Sequence, residues 1–265
     1  GCYHPRIVVI IRIMLENYKK PISEVYRPEL IRLPKVTWLR KIFRWVLKYL
    51  IWIISHILLK IRLQGGQYLP TKGPVLMVSN HLGDADGVVG LALAKVPFDV
   101  MGKIELYDIP VLGRIMEWYG TIWVHRGRPD RRALRAVLNG LAEGRMIAIA
   151  PEGQESTSGA LEQGMGGAAY IAIKSNVPIL PAAITGTENW RIYRNLKIRK
   201  RTHVTFNIGS PFYLEQTGEL RSDIENGTQT IMRAIAQMLP PEYQGVYRDA
   251  MEEENDGRQH GKPSE

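Results

Sequence analysis

The chain lacks several features that would each have pointed to a definite chemistry. It has one cysteine, Cys2, in 265 residues, and that cysteine lies in the terminal segment. An internal disulfide framework is therefore excluded, and a reducing, cytoplasm-facing setting is expected. No Gly-x-Ser-x-Gly elbow is present, so the exposed serine of a hydrolase turn is missing as well. His4, His56, His125, His203 and His260 show no metal-ligand spacing, and no resident metal or cofactor is expected. There is no internal repeat. Aspartate is absent from residues 1–72, where 14 Lys and Arg face 3 Glu for a net charge of +11; the other 193 residues must sum to −2 to give the total of +9. The basic excess thus belongs to the N-terminal segment.

That segment also lacks a membrane-spanning run. Trp38 to Leu63 is apolar over most of a helical circumference, but the stretch between Lys48 and Lys60 is only 11 residues, short of the roughly 20 a bilayer requires. Arg40, Arg44 and Lys48 are four apart and share one helical face. The segment is therefore expected to lie in one leaflet, with this basic face on anionic headgroups and its Trp and Tyr residues at the interface. A tilted spanning helix with snorkelling lysines, or a stripe packed on the globular domain, fits the same residues. Ile7 to Leu15 is a second short apolar run, and Lys19 to Pro34 is an irregular connector.

From Val75 onward, apolar runs of strand length alternate with helix-length segments: Val75 to Ser79, Phe98 to Gly102, Thr121 to Val124, Met146 to Ala150 and Pro178 to Ile184 are separated by amphipathic stretches. This alternation predicts an α/β domain with a mixed, largely parallel sheet flanked by helices. His203 to Ile208 alternates like an edge strand, and Gly227 to Leu239 reads as a closing helix. The expected organisation is a helical membrane-associating segment over 1–64, a catalytic domain over 65–248, and a polar, disordered tail over 249–265.

The run VLMVSNHLGDADGVVG, Val75 to Gly90, holds the residues best suited to chemistry. Gly83 and Asp84 are turn and N-cap types, so His81 falls in a turn after a strand and Asp86 in the first turn of the following helix. That geometry lets a carboxylate orient an imidazole and stabilise its protonated form. A capping aspartate beside a loop histidine fits the same spacing. Ser79 offers a hydroxyl, but as the last residue of a strand it reads as a turn residue.

Three further blocks follow: Gly120-Thr121-Ile122-Trp123-Val124-His125-Arg126, Pro151-Glu152-Gly153 and Val177-Pro178-Ile179-Leu180-Pro181. In this order, after His81-x4-Asp86, they resemble the glycerolipid acyltransferase family, whose best-known members acylate 1-acylglycerol-3-phosphate and glycerol-3-phosphate. The resemblance runs from about Leu69 to Phe212. It implies transfer of an acyl group from an acyl-CoA or acyl-carrier-protein thioester to the hydroxyl of a lysophospholipid, with 1-acylglycerol-3-phosphate the leading acceptor. His81 would be the general base and Asp86 its partner. Asn80, Lys103, Arg126, Glu152 and Gly153 would bind substrate, Arg126 at the acceptor phosphate. The third block departs from the family's Phe-Pro-Glu-Gly-Thr-Arg-Ser: Glu155 stands where the family has an arginine thought to hold that phosphate, and a carboxylate repels it.

Other patterns carry less. Gly164 to Ala169 fits a loose dinucleotide fingerprint but follows a polar loop instead of a strand. Asp84-Ala85-Asp86 with His81 would suit a divalent ion in a glycosyltransferase. The basic stretch Arg191 to Arg201 suits anionic lipid, not nucleic acid, beside a membrane-seeking segment. A non-catalytic lipid-binding scaffold with a degraded site remains the alternative of another class.

Overall fold

The computed structural model describes residues 27–125 and 130–253. Its seven strands are β1 (Leu59–Gln64), β2 (Val75–Ser79), β3 (Asp99–Lys103), β4 (Ile122–Val124), β5 (Met146–Ile149), β6 (Ile179–Thr185) and β7 (Thr202–Ile208). They form one sheet in the order β1-β7-β6-β2-β5-β3-β4, in which every pairing but β6 with β7 is parallel. The expected fold class is therefore found.

Period-two alternation splits the central strands between two layers. Leu76 and Val78 face helices α4 (Arg131–Ala142), α5 (Gly167–Ser175) and α7 (Leu220–Ala236), packing with Val137, Ala169 and Ile231. Val75 and Met77 face helices α1 (Trp38–Leu58) and α2 (Ala85–Leu93), packing with Leu47, Ile51 and Val89. Two further helices are α3 (Leu112–Tyr119) and α6 (Asn189–Lys197). β2 is buried on both sides, as strands of a covered parallel sheet are.

Three expectations need correction. The apolar run from Trp38 to Leu63 is not one helix: it stops at Leu58, and Leu59–Gln64 pairs with β7. A boundary at residue 64 would therefore cut α1 and β1 away from the sheet they help to build. The tail also starts later than expected, because residues 249–253 are helical and Met251 is buried.

The third correction concerns the basic face of α1, which turns inward. Arg44 is buried, donating to Asp99 Oδ1 at 2.5 Å and to the Tyr119 carbonyl at 2.7 Å. Arg40 donates to the carbonyls of Trp118, Glu117 and Lys35. Lys48 is buried, its ammonium 5.3 Å from the Tyr49 ring centroid. The cause is Asp99, 1% exposed at the start of β3, whose charge requires cationic partners; Arg44 and Arg145 supply them. The outward face of α1 carries Trp38, Ile42, Val46, Tyr49, Leu50 and Ile53, all exposed. Among the described residues, no helix is long and apolar enough to cross a membrane. The run Ile7 to Leu15 lies outside the described residues.

Candidate active site

The C-terminal end of β2 opens into the turn 80–84 before α2, the usual place for a site in an α/β sheet. His81 and Asp86 meet there: Nδ1 lies 2.8 Å from Asp86 Oδ2. The same oxygen accepts the N–H of Leu82 at 2.6 Å and of Gly83 at 3.0 Å. A carboxylate offers no hydrogen, so the ring must donate through Nδ1 and leave Nε2 as its basic atom. Among the described residues, Nε2 has no hydrogen-bond partner, and the His81 side chain is 19% exposed. Asp84 at the N-cap makes no side-chain cap bond. Asp86 instead reaches back to the turn's N–H groups, and its charge sits at the favourable end of the helix dipole.

The third block holds the backbone of His81 from both sides. Glu152 Oε1 accepts the His81 N–H at 2.8 Å, and the Ser156 N–H donates to the His81 carbonyl at 2.8 Å. The other Glu152 oxygen accepts the Glu162 N–H at 2.8 Å. Burial pushes the Glu152 carboxyl up to about 7, outweighing the two N–H donors. Glu162 closes the loop by accepting from Thr157 N, Thr157 Oγ1 and Ser156 Oγ; the two Thr157 bonds chiefly hold its carboxyl down at about 2. Gly153 has φ +74°, and a Cβ there would stand 2.5 Å from Met165 Sδ, so its role is backbone shape.

The residues expected to bind substrate fare differently. Asn80 is 1% exposed and both ends of its amide are used: Nδ2 donates to the Ile184 carbonyl at 2.9 Å and Oδ1 accepts the Ile184 N–H at 2.8 Å. It ties β2 to β6 from a buried position. Glu152 likewise spends both oxygens on backbone. Lys103 ends β3, half-buried, and its charge opposes the upward shift that burial gives the Glu155 carboxyl. Arg126 lies outside the described residues.

Asn189, at the start of α6, is a site residue the sequence did not reveal. Its Nδ2 donates to Glu155 Oε1 at 2.8 Å and its Oδ1 accepts the Asp84 N–H at 3.0 Å. Glu155 is thereby fixed beside the turn that carries His81. A Cβ on Gly83 would meet the Thr187 carbonyl oxygen at 2.6 Å, so this turn and the 187–189 segment require glycine to approach so closely.

A second pair has the same five-residue step. His125 Nδ1 lies 3.2 Å from Asp130 Oδ2, but its Nε2 accepts the Arg27 N–H at 3.5 Å, and Asp130 caps α4. Both ring nitrogens are engaged, so spacing alone does not make a base. Among the described residues, no group of His, Cys, Asp and Glu could hold a metal ion.

Comparison with known proteins agrees with this geometry. The acyltransferase family profile matches residues 60–185. The chain is 28% identical over 171 residues to the 1-acyl-sn-glycerol-3-phosphate acyltransferase of Borreliella burgdorferi, covering 63% of each chain. It is 29% identical over 151 residues to a chloroplastic 1-acyl-sn-glycerol-3-phosphate acyltransferase of Arabidopsis thaliana, covering 56% of this chain and 42% of that one. A lyso-ornithine lipid O-acyltransferase of Pseudomonas aeruginosa is 31% identical over 113 residues, 42% of this chain and 43% of that one. The chain thus spans less than two thirds of the length of these relatives. The crystal structure of the 1-acyl-sn-glycerophosphate acyltransferase from Thermotoga maritima shares the fold, with a TM-score of 0.55 at 20% identity over 87% of this chain and 90% of that one. The His-x4-Asp turn and the blocks that clamp it lie on or beside the matched segment, so residues 60–185 carry the acyltransferase family's domain, and the chain is similar over this region to glycerolipid acyltransferases.

Proposed function

We propose that this protein transfers a fatty acyl group from an acyl-CoA or acyl-carrier-protein thioester to the hydroxyl of a lysophospholipid at a membrane surface, with 1-acylglycerol-3-phosphate as the leading acceptor. The observation that carries the reading is the His81 ring, fixed through Nδ1 on Asp86 with Nε2 unspent. Nε2 takes the proton of the acceptor hydroxyl as its oxygen attacks the thioester carbonyl. The tetrahedral intermediate then collapses, the C–S bond breaks, and the imidazolium returns the proton to the departing thiolate. Asp86 offsets the imidazolium charge, a general-base contribution of about 10² to 10⁴ in rate. Lys103 and Arg126 would meet the acceptor phosphate.

The outward apolar face of α1 supports membrane attachment. It is continuous in kind with α3, where Leu112, Ile115 and Trp118 are exposed and Trp118 packs 6.0 Å from Phe43 of α1. Exposed apolar patches of this extent mark interaction surfaces. A second acceptor, a lysolipid whose headgroup has no terminal phosphate, is favoured by Glu155, which Asn189 holds where the family's arginine would stand.

The test is thiol release from palmitoyl-CoA in detergent or liposomes, with and without 1-acylglycerol-3-phosphate, for wild type and His81→Ala. Release that requires both acceptor and His81 is the expected result. Release unchanged in His81→Ala would remove the mechanism, and acceptor-independent release would remove the transferase reading.

A further inference from the structure

A cavity of about 740 Å³ opens at the opposite end of the strands from His81, where α1, the Thr71–Gly73 turn and the start of β5 meet. Its ionised lining consists of Lys35, Lys41, Arg44, Lys72 and Arg145 against Asp99 and Glu143, which is five positive charges less two negative, or +3. Both carboxylates are already matched. Asp99 pairs with Arg44 at 2.5 Å and with Arg145 at 3.3 Å, and Glu143 pairs with Arg145 at 2.5 Å. The charge left over belongs to the three lysines. All three are exposed, and among the described residues no carboxylate lies within 4.0 Å of any of their ammonium groups.

The position of the cavity says what it would meet. Lys41 lies three residues after Trp38 and four before Trp45, and both indoles are exposed. Residues at these spacings are helical neighbours. A bilayer resting on the apolar face of α1 would therefore bring its phosphate layer to the mouth of the cavity. Lysine ammonium groups are point charges with no fixed fork, so three of them around a cleft suit a phosphate of variable orientation better than a planar carboxylate.

We infer that this cleft binds the phosphate of an anionic phospholipid headgroup, and so orients the enzyme on the membrane at a point remote from the acyl-transfer site. The inference rests on the membrane attachment proposed above. It also relocates the electrostatic contact, because Arg40, Arg44 and Lys48 are turned into the protein.

The experiment is co-sedimentation of the full chain with phosphatidylcholine vesicles, pure or containing phosphatidic acid, at low and moderate salt. Wild type is compared with the triple variant Lys35→Gln, Lys41→Gln, Lys72→Gln and with a charge-matched control, Lys174→Gln, Arg221→Gln, Arg233→Gln, on the other layer of the fold. Thiol release in detergent and a thermal melt establish that each variant is folded. The cleft variant is expected to lose roughly 100-fold in partition to anionic vesicles at low salt and to keep its binding to neutral vesicles, while the control keeps its anionic preference. An anionic preference retained in the cleft variant, or lost equally in the control, overturns the inference and leaves membrane attachment standing. Wild type that binds neither vesicle overturns both.

Discussion

Glu152 touches His81 only through the backbone: its carboxylate accepts the His81 N–H at 2.8 Å and makes no bond to the imidazole. With the Ser156 N–H on the His81 carbonyl, this sets the position of the base without taking part in the proton transfer. The third block of the sequence is therefore a support for the first.

Replacement of Glu152 tests that role. In Gln, one end of the side chain presents N–H to a backbone N–H, so either His81 or Glu162 loses its acceptor, at a cost of about 1–3 kcal/mol. Glu152→Gln should lower kcat more than it raises KM for the thioester. A change confined to KM would mean that Glu152 contacts substrate instead.

The same carboxyl predicts a pH dependence of stability. Its folded value of about 7 lies above the ordinary 4.5, so the neutral form is favoured in the folded state. The stabilising contribution is fully present below pH 4.5 and is lost as pH rises through 7. The difference is about 3 kcal/mol at 1.36 kcal/mol per unit. Denaturant midpoints measured from pH 4.5 to 8 should fall for wild type and flatten in Glu152→Gln. Parallel curves would refute the assignment.

Asp86→Asn keeps an acceptor for His81 Nδ1, Leu82 and Gly83 but removes the negative charge. The expected result is a fall in kcat of roughly 10²- to 10⁴-fold with little change in KM, together with an unchanged melting temperature. A wild-type kcat would show that Asp86 is only a cap.

Glu155→Arg should lower KM for 1-acylglycerol-3-phosphate by about tenfold, since a charge-assisted bond replaces a repulsion, and should leave KM for palmitoyl-CoA unchanged. Equal effects on the two substrates would place Glu155 away from the acceptor.

What could be read from the sequence was local. Val75–Ser79 was identifiable to the residue because a fully buried strand is continuously apolar and a turn signal follows it. His81 and Asp86 were identifiable from the four blocks in order, since the same five-residue step recurs at His125 and Asp130. The structural bond of Asn80 to Ile184, 104 positions away, was not legible because no spacing announces such a bond. Asn189 was missed for the same reason, lying 34 residues from Glu155. β1 was hidden because an apolar run distinguishes poorly between a buried strand and the end of a helix. The basic stripe of α1 was turned the wrong way because charges four apart read alike whether they face headgroups or a buried Asp99 in a strand far along the chain.

The ion pair of Arg44 with Asp99 also limits how this protein can leave the water phase. Extracting α1 into a bilayer would take Arg44 from the buried Asp99, leaving Arg145 as its cationic partner, and would uncover the part of the sheet face that α1 covers beside α2. On the membrane attachment proposed above, α1 stays in place and the described domain docks as one body. The dimensions of the folded domain then set the height of His81 above the lipid.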